Sequence, residues 1–529
     1  VIAALRFVAL LAYLLGGVLI GFMMGRLVLI PFAAVAHVSH TWQTGVSLAG
    51  ALVGAFSAFG WWRRKFGGFE PNSAVHGSAH FASNEEIRAT MGGAKGLIVG
   101  RENGKNGRLL RYAGQSHLLT IAPTRSGKGV GAIIPNLLTA DRSVLCIDPK
   151  GENARITAAA RARFGPVFVL DPFEVSGQPA SLFNPLLDLN PNGLDLAEDA
   201  ALLADALVQD PPEQGGEAHW NEEAKALIAG LIMHVVCSEP ERHRTLATVR
   251  DRLTTAGWEQ RIMFDTMAKS DAAGGLVRRA ANRHLGKSER EAAGVLSSAQ
   301  RHTHFLDSVR INWTMAGSDF RFADLKEGKA TVFLVLPPER LDAYSRWLRL
   351  MVAHAINDLA RSPARPASPV LFLLDEFAAL GRLEPVELAF GLMAGYGIQL
   401  WPILQDMHQL WSTYGKRAGT FLSNAGLVQI FNVADVETAS WVSKSIGATT
   451  MSYQTAGTST SRGALQMFET KSTSTTAHLS RRELMTPDEI MRLDSSLEIL
   501  LRQGAAPAIV VKVRYYDGPE FRGLFTPPV

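Results

Sequence analysis

Residues 121–130 read IAPTRSGKGV, and the reading of this stretch decides the fold. The phosphate-loop pattern G-x-x-x-x-G-K-[ST] would run from Ala122 to Gly129. Gly127 and Lys128 match it. Ala122 stands where the pattern has its first glycine, and Gly129 stands where it has the hydroxyl that holds magnesium. The context is right for such a loop. An apolar run, LLTIA, leads in, and a helical pattern, VGAIIPNLLTA, leads out. A phosphate loop works through backbone amides, a helix start and one lysine. Pro123, Thr124, Arg125, Ser126, Gly127, Lys128, Gly129 and Val130 are therefore the expected phosphate cradle. Ala122 costs little if it keeps an allowed backbone conformation. Gly129 removes a metal ligand. Nucleotide-bound magnesium keeps several waters, so a water or the hydroxyl of Ser126 or Thr124 is left to replace it.

Further along, VLFLLDEFAAL is an apolar run that ends in two acids, Asp375 and Glu376. Adjacent carboxylates at the end of a buried strand are costly unless a cation or substrate uses them. The expected roles are a magnesium anchor for Asp375 and a water-polarising base for Glu376. The next apolar run ends in WPILQ, placing Gln405 at a strand end, where it can sense the γ-phosphate. In α/β sheets ligands gather at the C-terminal ends of strands, so the three elements should converge. The expected cofactors are ATP and Mg2+.

The surrounding pattern is α/β. Strands are expected at 118–122, 144–148, 167–171, 331–337, 370–376, 398–405, 427–433 and 509–516. These runs do not alternate, as suits a parallel sheet buried on both faces. Residues 194–318 break the rhythm and read as helices throughout, an all-helical insertion in the α/β domain. Its His- and Arg-rich stretches, RRAANRHLGKSER and QRHTHF, read as a solvated face. From Ala448 to Ser480 the chain is rich in Ser and Thr, as in an exposed loop or loose hairpin carrying Arg462 and Lys471.

The N-terminus holds two uncharged apolar runs, Phe7 to Gly25 and Gly45 to Trp62. Each approaches the roughly 20 residues that cross a bilayer. Arg63, Arg64 and Lys65 follow the second run and should stay cytoplasmic, with everything after them. A polar, glycine-rich linker comes next. The two cysteines, Cys146 and Cys237, lie in apolar runs away from metal-ligand spacing, which excludes a disulfide framework. A net charge of +4 permits contact with nucleic acid or anionic lipid without requiring it.

The stretches PTRSGKGVGAIIPNLL, IDPKGEN, HWNEEAKALI, LFLLDEFAALGRLE, ILQDMHQL, IFNVADVETASWVSKSIG and RRELMTPDEIMRL together resemble the TraG-like type IV secretion coupling proteins. In that family S-G-K-G loops are common. The resemblance implies a RecA-like phosphate-loop ATPase domain in two parts, 67–193 and 319–529, around an all-helical domain at 194–318. Residues 1–66 would be a two-helix membrane anchor. It implies a multi-pass inner-membrane protein with most of its chain cytoplasmic, assembled as a homo-hexamer. Its partners would be single-stranded DNA with a relaxase or relaxosome, and type IV secretion channel components. Asp148, Lys150 and Glu152 of IDPKGEN then sit near nucleotide or substrate; the alternative is a turn with a local salt bridge. Asn432, Asp435 and Thr438 would order the rim of the site. A ring ATPase also needs a cation from its neighbour, for which Arg417, Arg481 and Arg482 are candidates.

Two functions fit. One is a motor that drives DNA and its attached protein to the channel by ATP hydrolysis. The other is a membrane receptor that binds nucleotide and substrate without acting as a motor. The acid pair favours the first, and Gly129 leans towards the second. A septal duplex-DNA pump would carry more spans and a separate C-terminal DNA-reading module, so it fits less well.

Overall fold

The apolar runs become strands because they bury apolar side chains on both faces. In the computed structural model, which describes residues 2–33, 39–66, 77–102, 107–208, 218–461 and 470–527, the strands in chain order begin with β1 (Leu97–Arg101), β2 (Leu109–Tyr112) and β3 (His117–Ile121). There follow β4 (Val144–Asp148), β5 (Val167–Leu170), β6 (Thr331–Val335), β7 (Val370–Leu374), β8 (Ile398–Leu404) and β9 (Ala425–Ile430). Two further strands, β10 (Ala448–Ser461) and β11 (Thr470–Glu483), pair with each other, and β12 (Leu497–Arg502) and β13 (Ala508–Val511) close the series. Every residue of β3, β4, β6, β7, β8 and β9 is buried.

Eleven strands form one sheet in the order β2-β1-β13-β12-β9-β3-β8-β7-β4-β6-β5. The seven from β9 to β5 run parallel. The sheet is mixed, not parallel throughout, because β12, β13, β1 and β2 add an antiparallel edge beyond β9. Several expected strands end early, and two of them show why. The run at 331–337 stops at Val335, ahead of two prolines, which carry no N–H for a ladder. The run at 509–516 stops at Val511, and its remainder packs against the phosphate loop instead.

Between β5 and β6 the described residues form helices and no strand. The α-helices are Leu196–Leu207, Ala218–Ser238, Leu246–Thr254, Gly257–Met267, Leu276–Leu285, Glu289–Thr303, Val309–Thr314 and Asp324–Glu327. Ala218–Ser238 buries Ala224, Leu227, Ile228, Leu231, Ile232, Val235 and Val236, a helical spacing that makes it a core element. The basic stretches are less solvated than expected. His302 is buried and bonded to Asn221 at 2.9 Å. His284 is buried against Phe264.

Among the described residues, those within 79–447 and 483–529 form one compact unit, and those within 1–78 and 448–482 form a second. The Ser/Thr-rich segment falls in the second of these units. Its two strands pair with one another, and Thr449 bridges to Ser78. Arg462, residues 34–38 of the turn between the apolar helices and residues 67–76 of the linker lie outside the described residues.

The second unit begins with two long helices, α1 (Ile2–Ala33) and α2 (His40–Phe66). Both contain windows long and apolar enough to cross a membrane, Leu10–Val28 and Thr41–Trp62, of which only 11% and 6% is buried. That exposure argues against a buried hairpin of a soluble core. Their backbones meet at glycines. A Cβ on Gly21 would lie 2.1 Å from the Gly50 carbonyl oxygen, and one on Gly54 would lie 2.1 Å from that of Gly17.

Candidate nucleotide site

The phosphate loop leaves β3, the acid pair leaves β7, and Gln405 leaves β8, which lies between them in the sheet. All three strands are parallel, so all three ends reach the same sheet edge. The loop opens with Ala122 N donating to Leu404 O at 2.7 Å, which ties it to β8. It turns through Ser126 N to Pro123 O at 3.1 Å. Arg125 has φ of 64° and Gly127 has φ of 93°; the second is a conformation that glycine adopts most readily. The chain then enters one π-helical turn, Gly129–Ile133, and continues as the α-helix Ile134–Thr139.

Lys128 lies at the centre of a bonded cluster. Its Nζ is 2.8 Å from Asp375 Oδ1 and donates to Glu376 Oε1 at 2.6 Å. Gln405 Nε2 donates to Glu376 Oε2 at 3.0 Å, and Thr124 Oγ1 donates to Gln405 Oε1 at 3.5 Å. Glu376 is in the left-handed region, with φ of 50°, and its N–H donates to Asp375 Oδ1 at 3.0 Å. A non-glycine residue held there is strained, and such strain concentrates at functional sites. The structure thus brings Lys128, Asp375, Glu376, Gln405 and Thr124 together.

Electrostatics follow from this packing. Burial works against the Lys128 ammonium, but attraction to Asp375, with the hydrogen bonds to Asp375 and Glu376, outweighs it and raises its pKa. Burial also raises Asp375, against the pull of Lys128. Two carboxylates face one ammonium, so the cluster has an acid to spare for a second cation. Ser126 Oγ is buried with no hydrogen-bond partner among the described residues. Carboxylate and hydroxyl oxygens are the donor types that magnesium takes, so the residues fit that ion. A Cβ on Gly129 would meet nothing within 4 Å. The glycine there is not imposed by crowding.

The remaining candidates are placed differently. Asp148 ends β4, beside β7, one residue past the Ile147–Leu374 pair. It accepts from Ala154 N at 2.8 Å, and burial raises it to about 6, with Asp375 adding to the shift. Lys150 and Glu152 flank Gly151, whose φ of 65° starts the helix Glu152–Arg161. Asp435 caps the helix Val436–Ile446 by accepting from Thr438 N at 2.7 Å, and Thr438 Oγ1 accepts from Met407 N at 3.0 Å. Arg417 is outside the Lys128 cluster and pairs with Glu387 at 2.7 Å. Arg481 and Arg482 belong to the second unit, on β11; Arg482 Nη1 is 3.7 Å from Met451 Sδ.

One residue escaped the sequence reading. Lys512 Nζ donates to Ser126 O at 3.0 Å and to Asn432 Oδ1, and lies 4.8 Å from the centroid of the Phe431 ring. Burial lowers it to about 8, against the attraction of Glu498. The signal in the sequence was a lone lysine inside an apolar run, IVVKV.

Residues 80–527 match the family model described as Type IV secretory system Conjugative DNA transfer. The chain is 30% identical over 479 residues to Protein VirD4 of Rhizobium radiobacter, covering 86% of this chain and 66% of that protein. It is 29% identical over 507 residues to the Conjugal transfer protein TraG of Escherichia coli, covering 86% and 79%. It thus spans about two thirds of the length of the VirD4 relative. Among solved structures it is similar to the bacterial conjugative coupling protein TrwBdeltaN70. There the TM-score is 0.62 at 17% identity, over 82% of this chain and 92% of that one. The plasmid coupling protein TrwB in complex with ADP and Mg2+ aligns with a TM-score of 0.61 at 18% identity, over 82% and 93%. The likeness shows a shared fold, the RecA-like α/β domain with inserted helices.

Proposed function

The chain belongs to the type IV secretory system conjugative DNA transfer family, and from that membership we propose that it is an inner-membrane coupling ATPase. It recruits DNA carrying a relaxase, or protein substrates, and drives them to the secretion channel by hydrolysing ATP. The two apolar helices anchor it as a multi-pass protein, the all-helical insertion spans 194–318, and the ATPase units work as a hexamer. The observation that carries the reading is the cluster in which Lys128 touches both Asp375 and Glu376 while Gln405 holds Glu376 from the intervening strand. A receptor that never hydrolyses nucleotide has no need of an acid held in a strained backbone beside the phosphate lysine.

The chemistry follows from these positions. The loop from Pro123 to Val130 takes the phosphates through its amides, and Lys128 carries the balancing charge. Asp375 would hold Mg2+, with Ser126 supplying a hydroxyl that Gly129 does not. Bound Mg2+ supplies charge neutralisation on phosphate oxygens. Glu376 accepts the proton of the attacking water, and Gln405 fixes the direction of its carboxylate. Complexes of the solved relative TrwB with ADP and Mg2+ and with a non-hydrolysable ATP analogue support nucleotide and Mg2+ binding here.

Two variants test the reading. Lys128→Ala should abolish ATP turnover and transfer while leaving membrane insertion intact. Glu376→Gln should still bind ATP but lose about 10²–10⁴ in turnover, as the removal of a general base does. Transfer that persists in Lys128→Ala removes the motor reading and leaves the receptor.

A further inference from the structure

β13 runs in the same direction as β3, because it is antiparallel to β12, which is antiparallel to β9, which is parallel to β3. Its end therefore emerges at the sheet edge that carries the phosphate loop. From there the chain stays against that loop residue after residue. Lys512 Nζ bonds Ser126 O at 3.0 Å. The Val513 carbonyl oxygen lies 2.9 Å from where a Cβ on Gly131 would stand. Tyr515 N donates to Val130 O at 3.2 Å.

Of the three contacting residues Lys512 alone is charged; Arg514 between them is exposed. Lys512 is buried, at 8% exposure, so its ammonium depends on the protein for its hydrogen bonds. Those bonds go to Ser126 O, in the middle of the loop, and to Asn432 Oδ1, just past β9. Asn432 is held in turn by Nδ2 donating to Leu493 O at 3.3 Å. The neighbouring carboxyl, Glu498 on β12, is fully engulfed and is pushed by burial well above the carboxylate range. Its Oε2 accepts from Gln429 Nε2 at 2.6 Å, while the Lys512 ammonium bonds Ser126 and Asn432.

Peptide planarity turns this contact into a statement about the site. The C=O and N–H of one trans peptide point in opposite directions. With the Ser126 carbonyl drawn towards Lys512, the Gly127 N–H points away from Lys512. Gly127, with φ of 93°, is the residue at which the loop bends towards Lys128. Resting on the nucleotide reading above, we propose that Lys512 is a positioning residue of the phosphate loop: it fixes the Ser126–Gly127 peptide so that the Gly127 N–H faces the triphosphate. The C-terminal segment 512–515 thereby becomes part of the nucleotide site without touching nucleotide.

The test uses the full-length protein in detergent, with steady-state ATP turnover and direct binding of a fluorescent ATP analogue. Lys512→Met should raise KM for ATP about tenfold with kcat within about twofold, the signature of lost ground-state binding. Lys512→Arg keeps a charged donor and should recover most of that affinity. Where Lys512→Met does not accumulate, Asn432→Ala frees the lysine's other anchor and should raise KM in the same direction by a smaller factor. An unchanged KM in Lys512→Met, or an Arg variant no better than Met, overturns the positioning role while leaving the nucleotide reading standing. Failure of the unaltered protein to bind the analogue overturns both.

Discussion

Gly129 shows how far one residue can be read. The sequence marks it as a lost metal ligand. The structure adds that a side chain there would meet nothing within 4 Å, at a position whose φ is not positive. Gly129→Ser should therefore fold normally and lower the Mg2+ concentration needed for half-maximal ATP turnover several-fold, as read from a magnesium titration. An unchanged titration would mean that Ser126 or water already fills the place. Two positions on, Gly131→Ala should fare worse, because the Val513 carbonyl is 2.9 Å from the new methyl. Asp148 offers a pH prediction. Burial raises its pKa from 3.8 to about 6. The folded state thus holds the proton more tightly, and its contribution is present below 3.8 and lost as pH rises through about 6. Asp148→Asn removes that loss. It should raise stability at pH 7.5 by up to about 3 kcal/mol, at about 1.4 kcal/mol per pKa unit, with the gain vanishing near pH 4 in thermal denaturation. At this scale Lys128, Asp375, Glu376 and Gln405 were legible because pattern and strand ends point at them. Lys512 and Glu498 were not, because each is one charge within an apolar run, and only the pairing of β12 and β13 brings them to the loop.

Elements follow the same division between local and distant causes. The central strands were legible because burial on both faces leaves a continuous apolar run. β1, β2 and β12 were not. LIVGR is short and follows a glycine-rich stretch, LLRY exposes alternate residues, and LEILLR carries charges at both ends. Their strand character comes from pairing at the antiparallel edge, which no local pattern announces. The apolar helices are the opposite case, since length and hydropathy suffice to find them. What the sequence alone left unread is how they meet. Gly17 and Gly21 on α1 face Gly54 and Gly50 on α2 so closely that no Cβ fits between. In lipid, where apolar surface gives no drive to pair, such backbone contact is what holds helices together. Gly21→Leu or Gly54→Leu should separate α1 from α2. Cysteine pairs placed across the contact would then lose their disulfide cross-linking in membranes, whereas Gly16→Leu, with open space around it, should keep it.

Across the whole molecule, the nucleotide cluster described above joins a lysine, two acids, a glutamine and a threonine. Arg417 is bound to Glu387, and Arg482 Nη1 lies 3.7 Å from Met451 Sδ. A hydrolysing ring needs such a cation from the neighbouring copy, worth roughly 10³–10⁵ in rate where it has been measured. The two candidates differ in what they must give up. Arg417 is bound to Glu387, which Arg382 also approaches at 3.8 Å, so Glu387 keeps a cation if Arg417 swings away. Arg482 lies in the unit that also contains the two apolar helices. Mixing resolves them. Lys128→Ala fails at its own loop, and an arginine variant fails at its neighbour's, so each is inactive alone. In a ring of heterologous interfaces, equal mixing gives about one interface in four with both residues intact. Co-assembled Lys128→Ala and Arg417→Ala should therefore regain up to about a quarter of wild-type turnover if Arg417 is the donated cation. The same experiment with Arg482→Ala should regain activity only if that residue is the donor. Two silent mixtures would exclude both, and substantial turnover by either arginine variant alone would exclude that residue without mixing.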